Sequence, residues 1–191
     1  MDPQRLRRMV ASARAGRTVG YKSLLETYGP RLYGYFLRAT GRHEDAEDLL
    51  SEVTLRLVRR LQEYDERGRF DHWLFRIAAN VLRDRIRRAK AAPNLLSLAA
   101  DQSDGARTEP PARHKPVDSR LLAAEQSASL QQALDRLDGA TREMILLRYF
   151  AEMSFKELSE MYQCPLGTVL ARVHRGIRTL REFMGTEHGP E

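Results

Sequence analysis

Residues 91–118, AAPNLLSLAADQSDGARTEPPARHKPVD, hold four of the chain's eight prolines and no aromatic residue. A stretch of that length and composition has too little apolar surface to offset the entropy of ordering its backbone, so it reads as a flexible linker. It divides the 191 residues into two parts, each able to bury a modest core. The organisation expected is a domain at 1–90, the linker at 91–118, a second domain at 119–184 and a disordered tail at 185–191. The short run LLSLAA is the piece of the linker apolar enough to dock on a neighbouring surface.

Both parts carry helical periodicity. In AEDLLSEVTLRLVRRL, Leu50, Val53, Leu57, Val58 and Leu61 recur at spacings of three and four and draw one apolar stripe. Leu24, Leu25, Tyr28, Leu32, Tyr35 and Phe36 do the same over residues 20–40. A third helix is expected to start near Asp71 as N-cap, with Trp73, Leu74, Ile77, Ala78, Val81 and Ile86 on its inner side. No segment alternates with period two for long enough to argue a sheet, so the class expected is all-α, two small helical domains on a tether. Beyond the linker, LLAAEQSASLQQALDRL and ATREMILLRYF supply two helices. SFKELSEMYQ then opens with Ser154 and Glu157 in capping-box spacing, and CPLG breaks the pattern with Pro165 suited to the next helix's first turn. Two short helices joined in this way form a helix-turn-helix.

The second of those helices, PLGTVLARVHRGIRTL, has Leu166, Val169, Val173, Ile177 and Leu180 on one side. Thr168, Arg172, Arg175 and Thr179 lie opposite, with Ala171 and Arg178 on one shoulder. That face is either a solvated basic surface or one that meets the major groove; the capped helix and tight turn before it favour DNA. A second basic run, RDRIRRAK at 83–90, ends a helix that begins FDHWLFRIAAN. Basic charge at a helix C-terminus complements the helix dipole, but aromatics beside it also suit unstacked single-stranded bases. Trp73 reads as core, and Tyr64, in the preceding loop, as the better exposed platform. The acidic run HEDAEDLLSE holds Glu44, Asp45, Glu47, Asp48 and Glu52, either a solvated face or one that meets a basic protein surface.

Charge and motif content narrow the function. A net charge of +6 and a pI near 9.8 favour an acidic partner such as nucleic acid. One cysteine, Cys164, excludes an intrachain disulfide and a cysteine-rich metal site, and the five histidines are scattered. There is no P-loop, no G-x-G-x-x-G and no nucleophile motif, so no catalytic residue, metal ligand or cofactor is expected. The charged first residues, MDPQRLRRMV, do not read as a signal peptide, and no run of about 18 apolar residues is present, so a cytoplasmic protein without membrane insertion is expected.

Taken together, these stretches resemble an extracytoplasmic-function (ECF) sigma factor of the sigma-70 family, over about residues 15–90 and 120–184. AEDLLSEVTLRLVRRL resembles the segment that docks on RNA polymerase, and FDHWLFRIAANVLRDRIRR the helix that melts and reads the −10 promoter element. LSEMYQCPLGTVLARVHRGIRTLRE resembles the −35-reading helix-turn-helix. The resemblance implies that Asp48, Leu49 and Glu52 lie on the polymerase-binding helix. It places Tyr64, Trp73, Arg76, Asn80, Arg83 and Arg87 at the −10 element, with Tyr64 and Asn80 near a flipped base. Thr168, Ala171, Arg172, His174, Arg175 and Arg178 would serve the −35 duplex. It implies core RNA polymerase, promoter DNA and an anti-sigma factor as partners. Ser51 stands where the family usually has glutamine, and Leu170-Ala171 replace a charge and a hydroxyl, so a −35 preference unlike that of typical members is expected. The alternative is a sigma-like interaction protein that sequesters an anti-sigma factor.

Overall fold

The computed structural model describes residues 2–65, 69–91 and 117–186, without the side chains of 117–124 and 186. Residues 92–116 of the expected linker, with its LLSLAA run, and most of the tail lie outside the described residues; Ala91 ends α4, and Val117 and Asp118 begin α5. Among those described there are eight α-helices, one 3-10 turn and no strand, which is the all-α class expected from periodicity.

The first helix, α1 (Pro3–Arg14), was not foreseen. Asp2 caps it by accepting from the Gln4 amide at 3.0 Å, and Pro3 fits the first helical position. Its inner residues Met9, Val10 and Ala13 are buried against α2 (Thr18–Thr40). That approach needs a glycine: a Cβ on Gly20 would lie 2.2 Å from the Ala13 backbone nitrogen.

The bundle is completed by α3 (His43–Arg60), a 3-10 turn (Leu61–Glu63) and α4 (Phe70–Ala91). Tyr28, Leu32, Tyr35 and Phe36 of α2 meet Leu49, Val53 and Leu57 of α3 and Phe70, Leu74, Phe75 and Val81 of α4 in one core. The α3 stripe is rotated from the expected one. Ala46, Leu49, Val53 and Leu57 face inward, while Leu50 is half-buried and Val58 exposed. The spacing of three and four fits both stripes, and the small Ala46 carried too weak an apolar signal to tilt the choice.

Helix α4 starts at Phe70, and Asp71 does not cap it. The Asp71 carboxylate crosses to α2, where it accepts from Arg31 Nη1 at 2.7 Å and the Tyr28 hydroxyl at 3.2 Å. Ile86 is exposed because α4 has passed the end of the core by then.

The second unit comprises α5 (Val117–Asp135), α6 (Gly139–Phe150), α7 (Phe155–Tyr162) and α8 (Leu166–Thr186). Asp138 caps α6 through the Thr141 amide and hydroxyl, at 3.0 and 2.6 Å, and these bonds hold its carboxyl below the usual range. The capping box forms as the spacing implied: Ser154 Oγ accepts from the Glu157 amide, and Glu157 Oε2 accepts from the Ser154 amide. Between α7 and α8, Gln163 adopts φ +50°, and Ser159 Oγ donates to the Cys164 carbonyl at 2.6 Å. The Pro165 carbonyl accepts the first bonds of α8, from Thr168 and Val169. Leu158, Val169 and Val173 form the inner seam of the helix-turn-helix, while Leu166, expected on that side, is exposed.

The two units pack on one another, a relation the sequence left open. Phe150 of α6 sits on α2 where Gly34 leaves room: a Cβ there would meet the phenyl ring at 2.9 Å. Arg31 donates to the Phe150 carbonyl, and Arg38 to the Ser127 carbonyl and hydroxyl. Tyr35 stands at the joint, edge-on to both Phe75 and Phe150.

Candidate nucleic-acid interface

Along α4, positions 69, 72, 73, 76, 80, 83 and 87 recur at spacings of one, three and four and therefore share one stripe. Arg76 and Asn80 are exposed at its centre. Arg83 is half-buried, with Nε 3.1 Å from Glu143 of α6 and its guanidinium 4.7 Å from the Tyr162 ring centroid. Arg87 is exposed and pairs with Asp84 at 2.8 Å. At the N-terminal end of the stripe, His72 Nδ1 lies 2.7 Å and Arg69 Nη1 3.4 Å from Glu157 of α7. Two carboxylates of the second unit thus occupy the cationic groups of the first.

Glu143 is the centre of this contact and is only 8% exposed. It accepts from Arg83, from the Tyr162 hydroxyl at 2.5 Å and from the Tyr35 hydroxyl at 3.4 Å. Burial, reinforced by the Glu143 charge, pushes both tyrosine hydroxyls well above their usual range. Burial alone would lower Arg83, but the Glu143 and Tyr162 oxygens reverse the sign and raise it. For Glu157, burial works upward, but the Ser154 amide and hydroxyl outweigh it and hold the carboxyl down, with help from His72 and Arg69.

Tyr64 is not the exposed platform expected. It is 4% exposed, because the 3-10 turn after α3 folds its ring inward, edge-on to Phe70 at 5.3 Å and tilted on Trp73 at 5.1 Å. Trp73 is half-buried and packs on the core, as the sequence suggested. Arg76, Asn80 and the outer part of Trp73 are what this stripe leaves open.

On α8, Thr168, Ala171, His174, Arg175 and Arg178 are exposed on the side away from Val169 and Val173. Arg172 is half-buried and 3.6 Å from Asp138, and the His174 ring is stacked against Phe155. Arg172 and Arg175 line a polar groove of about 370 Å³ with Arg136, Thr141 and Thr179. Arg136 was missed because it belongs to another helical segment, and only the turn before α6 brings it to this face.

On α3, Asp48 is exposed with Arg85 of α4 at 3.7 Å, and Glu52 holds Arg56 and Arg88. Leu49 is 1% exposed and belongs to the core, so the expectation that it lies on the polymerase-facing side is corrected. The outward apolar residues are Leu55 and Val58. An open apolar depression of about 490 Å³ runs beside them, lined by Leu25, Gly29, Leu50, Ser51, Thr54 and Leu55. The short Ser51 side chain therefore stands on the rim of that depression.

Among the described residues no helix is long and apolar enough to cross a membrane, and no cluster of His, Cys, Asp or Glu is suited to hold a metal ion. The architecture defines a class: a two-part, all-helical protein with a basic helix face in each part. The family model for Sigma-70 region 2 matches residues 24–92, and that for Sigma-70, region 4 matches residues 133–182. The chain is 31% identical to RNA polymerase sigma factor CarQ of Myxococcus xanthus, over 90% of this chain and 93% of that one. It is 27% identical to ECF RNA polymerase sigma factor SigW of Bacillus subtilis (strain 168), over 93% and 95%. Two solved structures share the fold. One is CnrH in complex with the cytosolic domain of CnrY, with TM-score 0.61, 23% identity and coverage of 94% and 97%. The other is the sigma factor RpoE in complex with the anti-sigma factor NepR from Bartonella quintana, with TM-score 0.66, 21% identity and coverage of 86% and 96%. The chain belongs to the sigma-70 family of RNA polymerase sigma factors, in its ECF branch.

Proposed function

We propose that the chain acts in the cytoplasm as a non-catalytic initiation subunit, with residues 1–90 and 119–184 as separately acting domains on the 91–118 linker. The outer face of α3, with Asp48, Glu52, Leu55 and Val58, docks on core RNA polymerase. The α4 stripe of Arg76, Asn80, Arg83 and Arg87, floored by Trp73 with Tyr64 behind it, takes the melted −10 strand. Thr168, Ala171, Arg172, His174, Arg175 and Arg178 of α8, extended by Arg136, take the −35 duplex. The observation that carries this reading is the α4 stripe, where guanidinium, amide and indole groups share one helix face and suit phosphates and unstacked bases.

The second unit holds the two flanks of the stripe, Arg69 and His72 at one and Arg83 at the other, so full engagement of the promoter requires the two units to part. Glu143 and Glu157 stand where phosphates would, and each gives up its arginine contact when DNA takes over. The −10 and −35 elements lie nearly two helical turns apart, about 70 Å at about 35 Å per turn. A 28-residue linker spans roughly 90 Å when extended, enough for that separation. An anti-sigma factor that favours the closed arrangement would keep the chain silent; the structural relative RpoE, solved in complex with the anti-sigma factor NepR, supports a partner of that kind.

Run-off transcription with core RNA polymerase and fragmented DNA of the same source tests this reading. Discrete transcripts that share two upstream elements are expected, with a −35 element unlike the common ECF one because Leu170 and Ala171 replace polar groups. Silence with matched core polymerase would instead favour the sequestering role.

A further inference from the structure

Helix α1 lies ahead of the residues matched to Sigma-70 region 2, and nothing described so far uses its outer surface. Arg5, Arg7, Arg8, Arg14 and Arg17 all lie in its span or just after it, and all five are exposed. The first turn of α1 holds no acidic residue, and Arg5 occupies its third position. A cation there opposes the positive end of the helix dipole, so Arg5 does not serve the stability of α1, and Arg17 stands likewise at the N-cap of α2, whereas Arg14 in the last turn of α1 complements the dipole. Nor does the charge serve ion pairing: among the described residues Arg5, Arg8 and Arg17 are in no salt bridge. A local preference broken without a local gain points to an external partner.

The surroundings say which partner. Arg5 and Arg8 line an open groove of about 330 Å³ with the hydroxyls of Ser12 and Ser23, over Met9 and Gly20. Guanidiniums with hydroxyls beside them are the donor set for phosphate oxygens. Helix α1 is also tied to the −10 surface. Arg14 Nη2 donates to the Gln62 carbonyl, and Gln62 Nε2 donates to the Arg14 carbonyl at 2.7 Å. Gln62 belongs to the turn that leads into Tyr64 and so to Trp73 and the head of α4. We infer that the arginine surface of α1, centred on the groove of Arg5 and Arg8 with Arg17 beside it, is a further DNA-backbone site that takes phosphates flanking the −10 strand. The placement beside the −10 strand rests on the function proposed above; the phosphate chemistry does not.

The test uses the full chain and two labelled probes of mixed sequence, a 30-nucleotide single strand and the matching duplex, with affinity measured across a salt series. The triple variant R5Q/R8Q/R17Q is expected to flatten the salt dependence on at least one probe. Three lost phosphate contacts lower the log–log slope by about 2 on a single strand and by about 3 on a duplex. The matched R5K/R8K/R17K variant keeps the charge and is expected to keep the slope. The Gln variant should melt no lower than the parent, since Arg5 opposes the dipole of α1, Arg17 opposes that of α2, and Arg8 is an exposed mid-helix residue that Gln replaces at little cost in helix propensity. An unchanged slope on both probes overturns the proposal, and so does a Lys variant that loses as much as the Gln variant. Loss of binding to phosphatidylserine vesicles with unchanged DNA slopes overturns it in favour of a membrane surface. No promoter is needed, so failure here is distinct from a silent run-off assay.

Discussion

The two helices proposed to meet DNA, α4 and α8, are both basic and both partly exposed, yet they meet the rest of the chain in opposite ways. The α8 surface stands open: Thr168, Arg175 and Arg178 face solvent, and Asp138 on Arg172, Phe155 on His174 and Glu182 on Arg178 all come from within its own unit. The α4 surface is gripped from outside its unit by Glu143 and Glu157. A helix that enters an intact groove can be held ready, because the duplex already exists. A helix that captures unstacked bases gains from being covered until melted DNA is present, since exposed cations would otherwise gather non-specific nucleic acid. On the function proposed above, that contrast puts the contact that must open for DNA on α4 and not on α8.

The most direct way to break that contrast is Glu143→Ala. It leaves Arg83 and two tyrosine hydroxyls buried without their acceptor, and stability is expected to fall by about 3 kcal/mol. Urea unfolding measures it; a loss under about 1 kcal/mol would mean that the grip is incidental. Arg175→Ala sharpens the other side, weakening −35 duplex binding by about 1–3 kcal/mol while leaving single-strand affinity alone. Equal loss on both probes would erase the division of labour.

Gly34→Leu pushes a side chain into the Phe150 ring and should part α2 from α6. Single-strand affinity is expected to rise about tenfold, roughly 1.4 kcal/mol, with duplex affinity unmoved. A pair of fluorophores, one on each unit, would show the same separation as lost energy transfer. Gln163→Gly relieves a left-handed residue in the turn before α8, and thermal melting should report up to about 1 kcal/mol of added stability, with no change on either DNA probe.

The smallest effect is pH-dependent. Glu157 is held below its ordinary carboxyl value of 4.5, so its stabilising contribution is complete above that value and is lost as pH falls through the folded one. The cost of Glu157→Gln, about 1 kcal/mol or less at neutral pH, should therefore shrink as unfolding is followed down toward about pH 3. A constant difference would mean that the charge plays no part.

Much of this was legible before any coordinates. Ser154 and Glu157 announced a capped helix, Pro165 its successor, and the arginines of α8 their exposed side, because caps and helix faces depend on residues a few positions apart. The errors have one origin. Leu49 and Val58 exchanged places because a stripe of three-four spacing has a width but no unique centre until a neighbour packs on it. Tyr64 was taken as exposed because a loop position says nothing about where a 3-10 turn will aim the next ring. Helix α1 is hard to read from sequence because its four arginines mask three inward residues, Met9, Val10 and Ala13.

What the sequence determined by itself was local: the all-helical class, the Ser154–Glu157 cap and the basic faces, each set by backbone preference and periodicity within one or two turns. Tertiary structure alone decided which side chains meet across distance. Arg83 and Glu143 are 60 residues apart, as are no two groups in a cap or a turn, and nothing in either segment names the other. Their pairing follows from how α2 seats against α6 once both apolar faces are buried, and that seating ties Arg83 of the α4 stripe to the second unit while Arg76 and Asn80 stay exposed.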